Sequence, residues 1–71
     1  MEERSKLSTI IAHWVEHNQS HIGEYEKWAQ RAGVLGLEPV KTEIENAIRK
    51  LSQANHHLEK ALKAFTSSSR Y

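Results

Sequence analysis

The chain contains no cysteine. Disulfides and thiolate metal sites are thereby excluded, and a reducing compartment is weakly favoured. No apolar run approaches the length of a membrane span, and no charged-then-apolar leader marks a signal peptide. No stretch alternates polar and apolar residues over several positions, so strands are not expected. Neither sign of charge dominates. Ten basic and 9 acidic residues are mixed along the sequence, for a formal net charge of +1, which is not the electrostatic footprint of a nucleic-acid binder. Length is short as well: 71 residues make one small domain, whose buried apolar area supports a stable fold only with help from staples or partners. The expectation is a water-soluble, cytoplasmic chain that engages neither nucleic acid nor membrane.

Against these absences stand two blocks of apolar residues at helical spacing. The first comprises Leu7, Ile11, Trp14, Ile22, Tyr25, Ala29 and Ala32, and the second Val40, Ile44, Ile48, Leu51, Leu58, Leu62 and Phe65. Between them lies "AGVLGLEPV". Gly33 reads as a helix stop, because glycine enters the left-handed region without penalty. Pro39 suits the first turn of the next helix, where no backbone donor is needed. Ser5 or Ser8 is a candidate N-cap, and "TSSSRY" reads as a frayed tail. The pattern predicts a single all-α domain over 1–71, an antiparallel two-helix hairpin. Its helices run over about 6–32 and 39–65, joined by a turn at 33–38 and followed by a tail at 66–71. Each helix has about seven turns, roughly 40 Å at 1.5 Å per residue.

The apolar stripe is wider than one partner helix requires, since Val15 and Ile22 flank it on one side and Ile10 on the other. Ala47, Ala54 and Ala61 add a row of small residues that lets another helix approach closely. These features predict a homodimer completing a four-helix bundle. A different protein partner is the alternative.

In a heptad frame with Leu7, Trp14, His21 and Trp28 at d, positions a hold Ile11, Asn18, Tyr25 and Ala32. The second helix places Ile44, Leu51, Leu58 and Phe65 at d, with Ile48, Asn55 and Leu62 at a. Each helix thus carries an asparagine at a core position, and closing the hairpin sets Asn18 opposite Asn55. A buried amide pair that fixes register explains them, ahead of a polar cavity. His21, at d, is expected to face the core.

The chain has 5 histidines. In "HWVEHNQSH", His13, His17 and His21 recur every fourth residue, and Glu24 continues the row. Neighbours three or four apart on a helix stand about 5–6 Å apart at Cβ, close enough for two imidazoles to share an ion. Two nitrogens and one carboxylate oxygen suit zinc, nickel or cobalt. His57 joins His13 and His17 if the hairpin closes g flank to g flank, and stays apart if it closes e flank to e flank. The sequence does not choose between the two.

Motifs with a catalytic sound fare less well. "HWVEH" matches H-x-x-E-H, the inverted zinc-protease signature, with Glu16 as general base. A hairpin has little with which to build a cleft, however, and Glu16 points opposite the apolar stripe. Di-iron bundles use Glu-x-x-His, whereas here the order is His21-x-x-Glu24 and His56-x-x-Glu59, with no bridging carboxylates. No phosphate loop and no activated nucleophile is present, so no enzyme is expected. Trp14, Tyr25 and Trp28 read first as packing residues, and a groove for an aromatic ligand or haem is a lesser reading.

The run from His13 to the second helix resembles a small, largely uncharacterised prokaryotic helical-hairpin family that carries H-W-x-x-H-N-x-x-H followed by E-x-W-A. The shared positions are His13, Trp14, His17, Asn18, His21, Glu26, Trp28 and Ala29. The resemblance implies that histidines, asparagine and tryptophans belong to one constellation. It implies no activity. The resulting expectation is a divalent transition-metal site (zinc, nickel or cobalt) with ligands from His17, His21, His13, Glu24 and His57, used for metal handling or sensing. The competing expectation is a metal-free dimerisation or protein-interaction module with structural histidines.

Overall fold

The computed structural model describes residues 2–68. It consists of two helices, α1 (Glu2–Val34) and α2 (Glu38–Ser68), packed side by side as an antiparallel hairpin with extents of 55 × 15 × 12 Å. The all-α hairpin expected from periodicity is therefore the fold. Both helices outrun their apolar patterns. α1 begins at Glu2 rather than about position 6, because the polar lead-in is rich in good helix formers that need no apolar partner. Ser5 and Ser8 consequently lie inside the helix and cap nothing; the Ser8 hydroxyl instead donates back to the Ser5 carbonyl at 3.1 Å. At the other end, 66–68 continue α2 where a tail was expected, and 69–71 lie outside the described residues.

The turn corrects the reading of the glycines. Gly33 is still helical, and the left-handed residue is Gly36, with φ of 77°. Around it the Leu37 amide donates to the Ala32 carbonyl at 2.9 Å and the Gly36 amide to the Gly33 carbonyl at 3.0 Å. That pair of bonds is a Schellman cap, which satisfies carbonyls orphaned at the helix end. Gly33 serves close approach instead, since a Cβ there would stand 3.3 Å from Cδ of Lys41. The first bond of α2 runs from the Lys41 amide to the Leu37 carbonyl at 3.0 Å, with Pro39 in the first turn as expected.

The seam between the helices also departs from the heptad frame. α2 presents its a and d residues, half-buried Ile48, Leu51, Leu58 and Leu62 among them, with Asn55 only 6% exposed. α1 answers with a and e residues: Ile11, Ala29 and Ala32 are buried, and Val15, Asn18 and Ile22 are half-buried. Its d residues fall outside. Leu7 and Trp14 are each 47% exposed, Trp28 is 55% exposed, and His21 is exposed rather than facing the core. The cause is size. Small residues at Ala29, Ala32 and Gly33 let the helices meet closely near the turn, whereas indoles at d would hold them apart and exceed what one helix can cover.

Ile11, Ala29 and Ala32 are the only buried apolar residues among those described, and no large side chain is fully buried. At mid-length Asn18 donates from Nδ2 to Oδ1 of Asn55 at 2.8 Å, and Asn55 donates from Nδ2 to the Val15 carbonyl at 3.1 Å. The amide pair expected across the hairpin is thus formed, with hydrogen-bonding partners for both residues.

Candidate metal centre

Four rings descend one flank of α1 at four-residue intervals. His13 stacks on His17 with centroids 6.0 Å apart, His17 meets His21 edge-on at 4.4 Å, and His21 lies 6.1 Å from Tyr25. Four residues overshoot a helical turn by about 40°. The ladder therefore winds from the outer surface at His13 toward the seam at Tyr25. Tyr25, expected first as a packing residue, extends the ladder from its position one turn beyond His21.

The tightest contact in the ladder is polar. Nε2 of His17 and Nε2 of His21 are 2.9 Å apart and share a hydrogen bond, one imidazole donating and the other accepting. Both rings are exposed. The donor set suits a borderline cation such as zinc, nickel or cobalt better than a hard one, because neutral imidazole is its main component. Two nitrogens held by one ion at about 2.0–2.1 Å stand about 2.9–3.4 Å apart for bond angles of about 90–110°. The observed separation lies at the short end of that range; chelation requires the shared proton to move to Nδ1 of the donor ring and both rings to turn until their Nε2 lone pairs converge on the ion.

The remaining expected ligands are not drawn in. His13 is one ring further out, and Glu24 is exposed one turn below His21. A surface groove lined by Glu26, Ala29 and Gln30 of α1 and by Lys41, Glu45, Ile48 and Arg49 of α2 runs along one side of the seam. His57 is exposed beside His56 at a ring separation of 6.2 Å. Among the described residues, no three His, Asp or Glu side chains come together as a ligand set. Glu16, the base of the protease-like motif, is exposed. Among the described residues, no helix is long and apolar enough to cross a membrane.

The histidine ladder lies beside an apolar surface. Leu7, Ile10, Trp14, Tyr25 and Trp28 are 47%, 42%, 47%, 37% and 55% exposed. They occupy the d side of α1, next to exposed Val40, Ala47 and Ala54 on the matching flank of α2. Aromatic side chains of this size are normally covered in a finished core or interface.

The family model described as Domain of unknown function (DUF8180) matches residues 7–65. No curated protein and no solved structure matches the chain.

Proposed function

The chain belongs to the DUF8180 family, a domain of unknown function, and we propose that it is a small transition-metal-binding hairpin that handles or senses zinc, nickel or cobalt in the cytoplasm. The observation that carries this reading is the pair of imidazole nitrogens 2.9 Å apart on an exposed helix face. His17 and His21 are the ligands, with His13 and Glu24 near enough in sequence to add to the sphere and His57 as a more remote donor. The H-W-x-x-H-N-x-x-H constellation is read as the family's own mark. Glu16, the general base that the protease-like motif would use, is exposed.

The test is thermal melting of the metal-stripped, untagged chain with added zinc, nickel, cobalt or copper, repeated for His17→Ala. A ligand that binds only the folded state stabilises it by RT ln(1 + [L]/Kd), about 2.7 kcal/mol at a hundredfold excess over Kd. The parent is expected to gain several degrees and His17→Ala none. The gain should fade in acid, where protons compete with the metal for the imidazole nitrogens. A parent that melts identically with every metal refutes the reading.

A second reading is favoured by the exposed tryptophans. The same hairpin would then be a metal-free dimerisation or protein-interaction module. In that case His17→Ala leaves both melting and association unchanged, and substitution of Trp14 or Trp28 abolishes association.

A further inference from the structure

A pair of imidazoles is half of a closed metal site, and its place in the rod indicates where the other half lies. α1 runs from Glu2 to Val34, so the interval between His17 and His21 falls at its midpoint. Trp14 and Tyr25 stand on either side of that interval, and Ile10 and Trp28 stand equally far from position 19, nine residues each way. Suppose a second copy is laid antiparallel on this flank, with a two-fold axis crossing α1 at that level. Trp28 of each chain then falls on Ile10 of the other, Tyr25 falls beside Trp14, and His17 meets His21. A self-complementary patch of this kind is what a two-fold interface demands.

The amount of uncovered surface points the same way. The chain exposes 5787 Å², whereas a compact monomer of 8.2 kDa exposes about 4,500 Å². The difference exceeds the roughly 800 Å² per partner that a standard stable interface covers. The flank of α2 beside it is lined by Val40, Ala47 and Ala54, small enough for close helix approach. Turning one copy about an axis parallel to the helices would instead place His17 against α2 of its neighbour, where the histidines of the two copies do not meet.

We infer that this face binds a second copy of the chain and that one divalent transition ion sits on the two-fold axis, held by His17 and His21 from both chains with the two turns at opposite ends of the bundle. The inference rests on the metal reading above and adds the partner that completes the site. Four imidazoles around one ion make the closed tetrahedral set typical of a structural rather than a catalytic centre. Assembly and metal loading are then linked, each strengthening the other by the same factor.

The experiment combines calorimetric titration with zinc, light-scattering mass measurement with and without zinc, and cobalt absorption spectra, on the untagged chain. Two exposed-face variants accompany the parent: Trp28→Glu, which blocks association but keeps both imidazoles, and His21→Ala, which removes one ligand per chain. Circular dichroism confirms that each variant stays helical. The expected result is one zinc per two chains, a mass twice 8.2 kDa with zinc, and a four-coordinate cobalt spectrum. Trp28→Glu should bind zinc at least tenfold more weakly and remain monomeric. One zinc per chain at monomer mass overturns the shared site while leaving metal binding by the hairpin intact. No zinc uptake overturns both readings, whatever the mass.

Discussion

Truncating Asn55 tests whether the amide pair, rather than apolar burial, locks the hairpin at mid-length. Asn55 is 6% exposed, accepts from Asn18 at 2.8 Å and donates to the Val15 carbonyl at 3.1 Å. Asn55→Ala deletes both bonds. Each is worth about 0.5–1.5 kcal/mol net. The Val15 carbonyl keeps its intrahelical partner, and half-buried Asn18 can turn toward water, so the full penalty of an orphaned group is avoided. The expected loss is about 2 kcal/mol, taken from a total of about 4–10 kcal/mol for a domain of 71 residues. The corresponding fall in melting temperature is about 8–16 °C. Urea unfolding followed by circular dichroism at fixed protein concentration measures it. Asn18→Leu combined with Asn55→Leu removes both polar partners together and should match or exceed parental stability, as replacement of buried polar pairs by apolar residues often does. The argument fails if Asn55→Ala unfolds within about 0.5 kcal/mol of the parent, the range of neutral surface changes.

Two further predictions concern the turn and the two faces of α1. Gly36→Ala forces a side chain into the left-handed region at φ of 77° and should cost about 1–2 kcal/mol; Gly36→Asn should cost less, which a pair of thermal melts will show. Ile11→Ala, at a residue 7% exposed, should cost about 2 kcal/mol at any concentration, the low end for a buried isoleucine because the site borders solvent. Trp28→Ala, at 55% exposure, should change the monomer by less than about 0.5 kcal/mol yet weaken association, so its effect on melting grows with protein concentration.

Periodicity carried the two helices, the existence of a turn between them and the facing asparagines, because those follow from spacing and from the arithmetic of a closed hairpin. Orientation about the axis of α1 did not follow. Positions d and e flank position a at about 60° and 40°, and each offers apolar residues: Leu7, Trp14 and Trp28 on one side, Val15, Ile22 and Ala29 on the other. A heptad frame weighs hydrophobicity and so favours the tryptophans. Close packing of two helices favours the smaller side chains near the turn, and the e side wins. That one rotation moves His21 from an expected core position to the exposed flank. The turn was misread for a related reason: of two glycines three residues apart, the chain uses Gly33 for contact with Lys41 and Gly36 for the left-handed cap.

The same rotation gives the asparagine pair a bearing on the histidines. Asn18 follows His17 directly and lies between the two imidazoles in sequence. Its bond to Asn55 fixes which side of α1 faces α2, and therefore which side carries the ladder outward. With leucine at both positions the seam gains apolar area but loses its only directional bond between these side chains. α1 is then free to roll toward its d side, covering Trp14 and drawing His21 under α2. The double leucine variant should accordingly be at least as stable as the parent and bind zinc several-fold more weakly, although neither substituted residue is a ligand. Titration of zinc into both proteins, with melting recorded without metal, separates the two effects. Unchanged zinc affinity in a stabilised variant would mean that the amide pair sets helix register alone and that packing of the small residues near the turn is enough to hold the histidines outward.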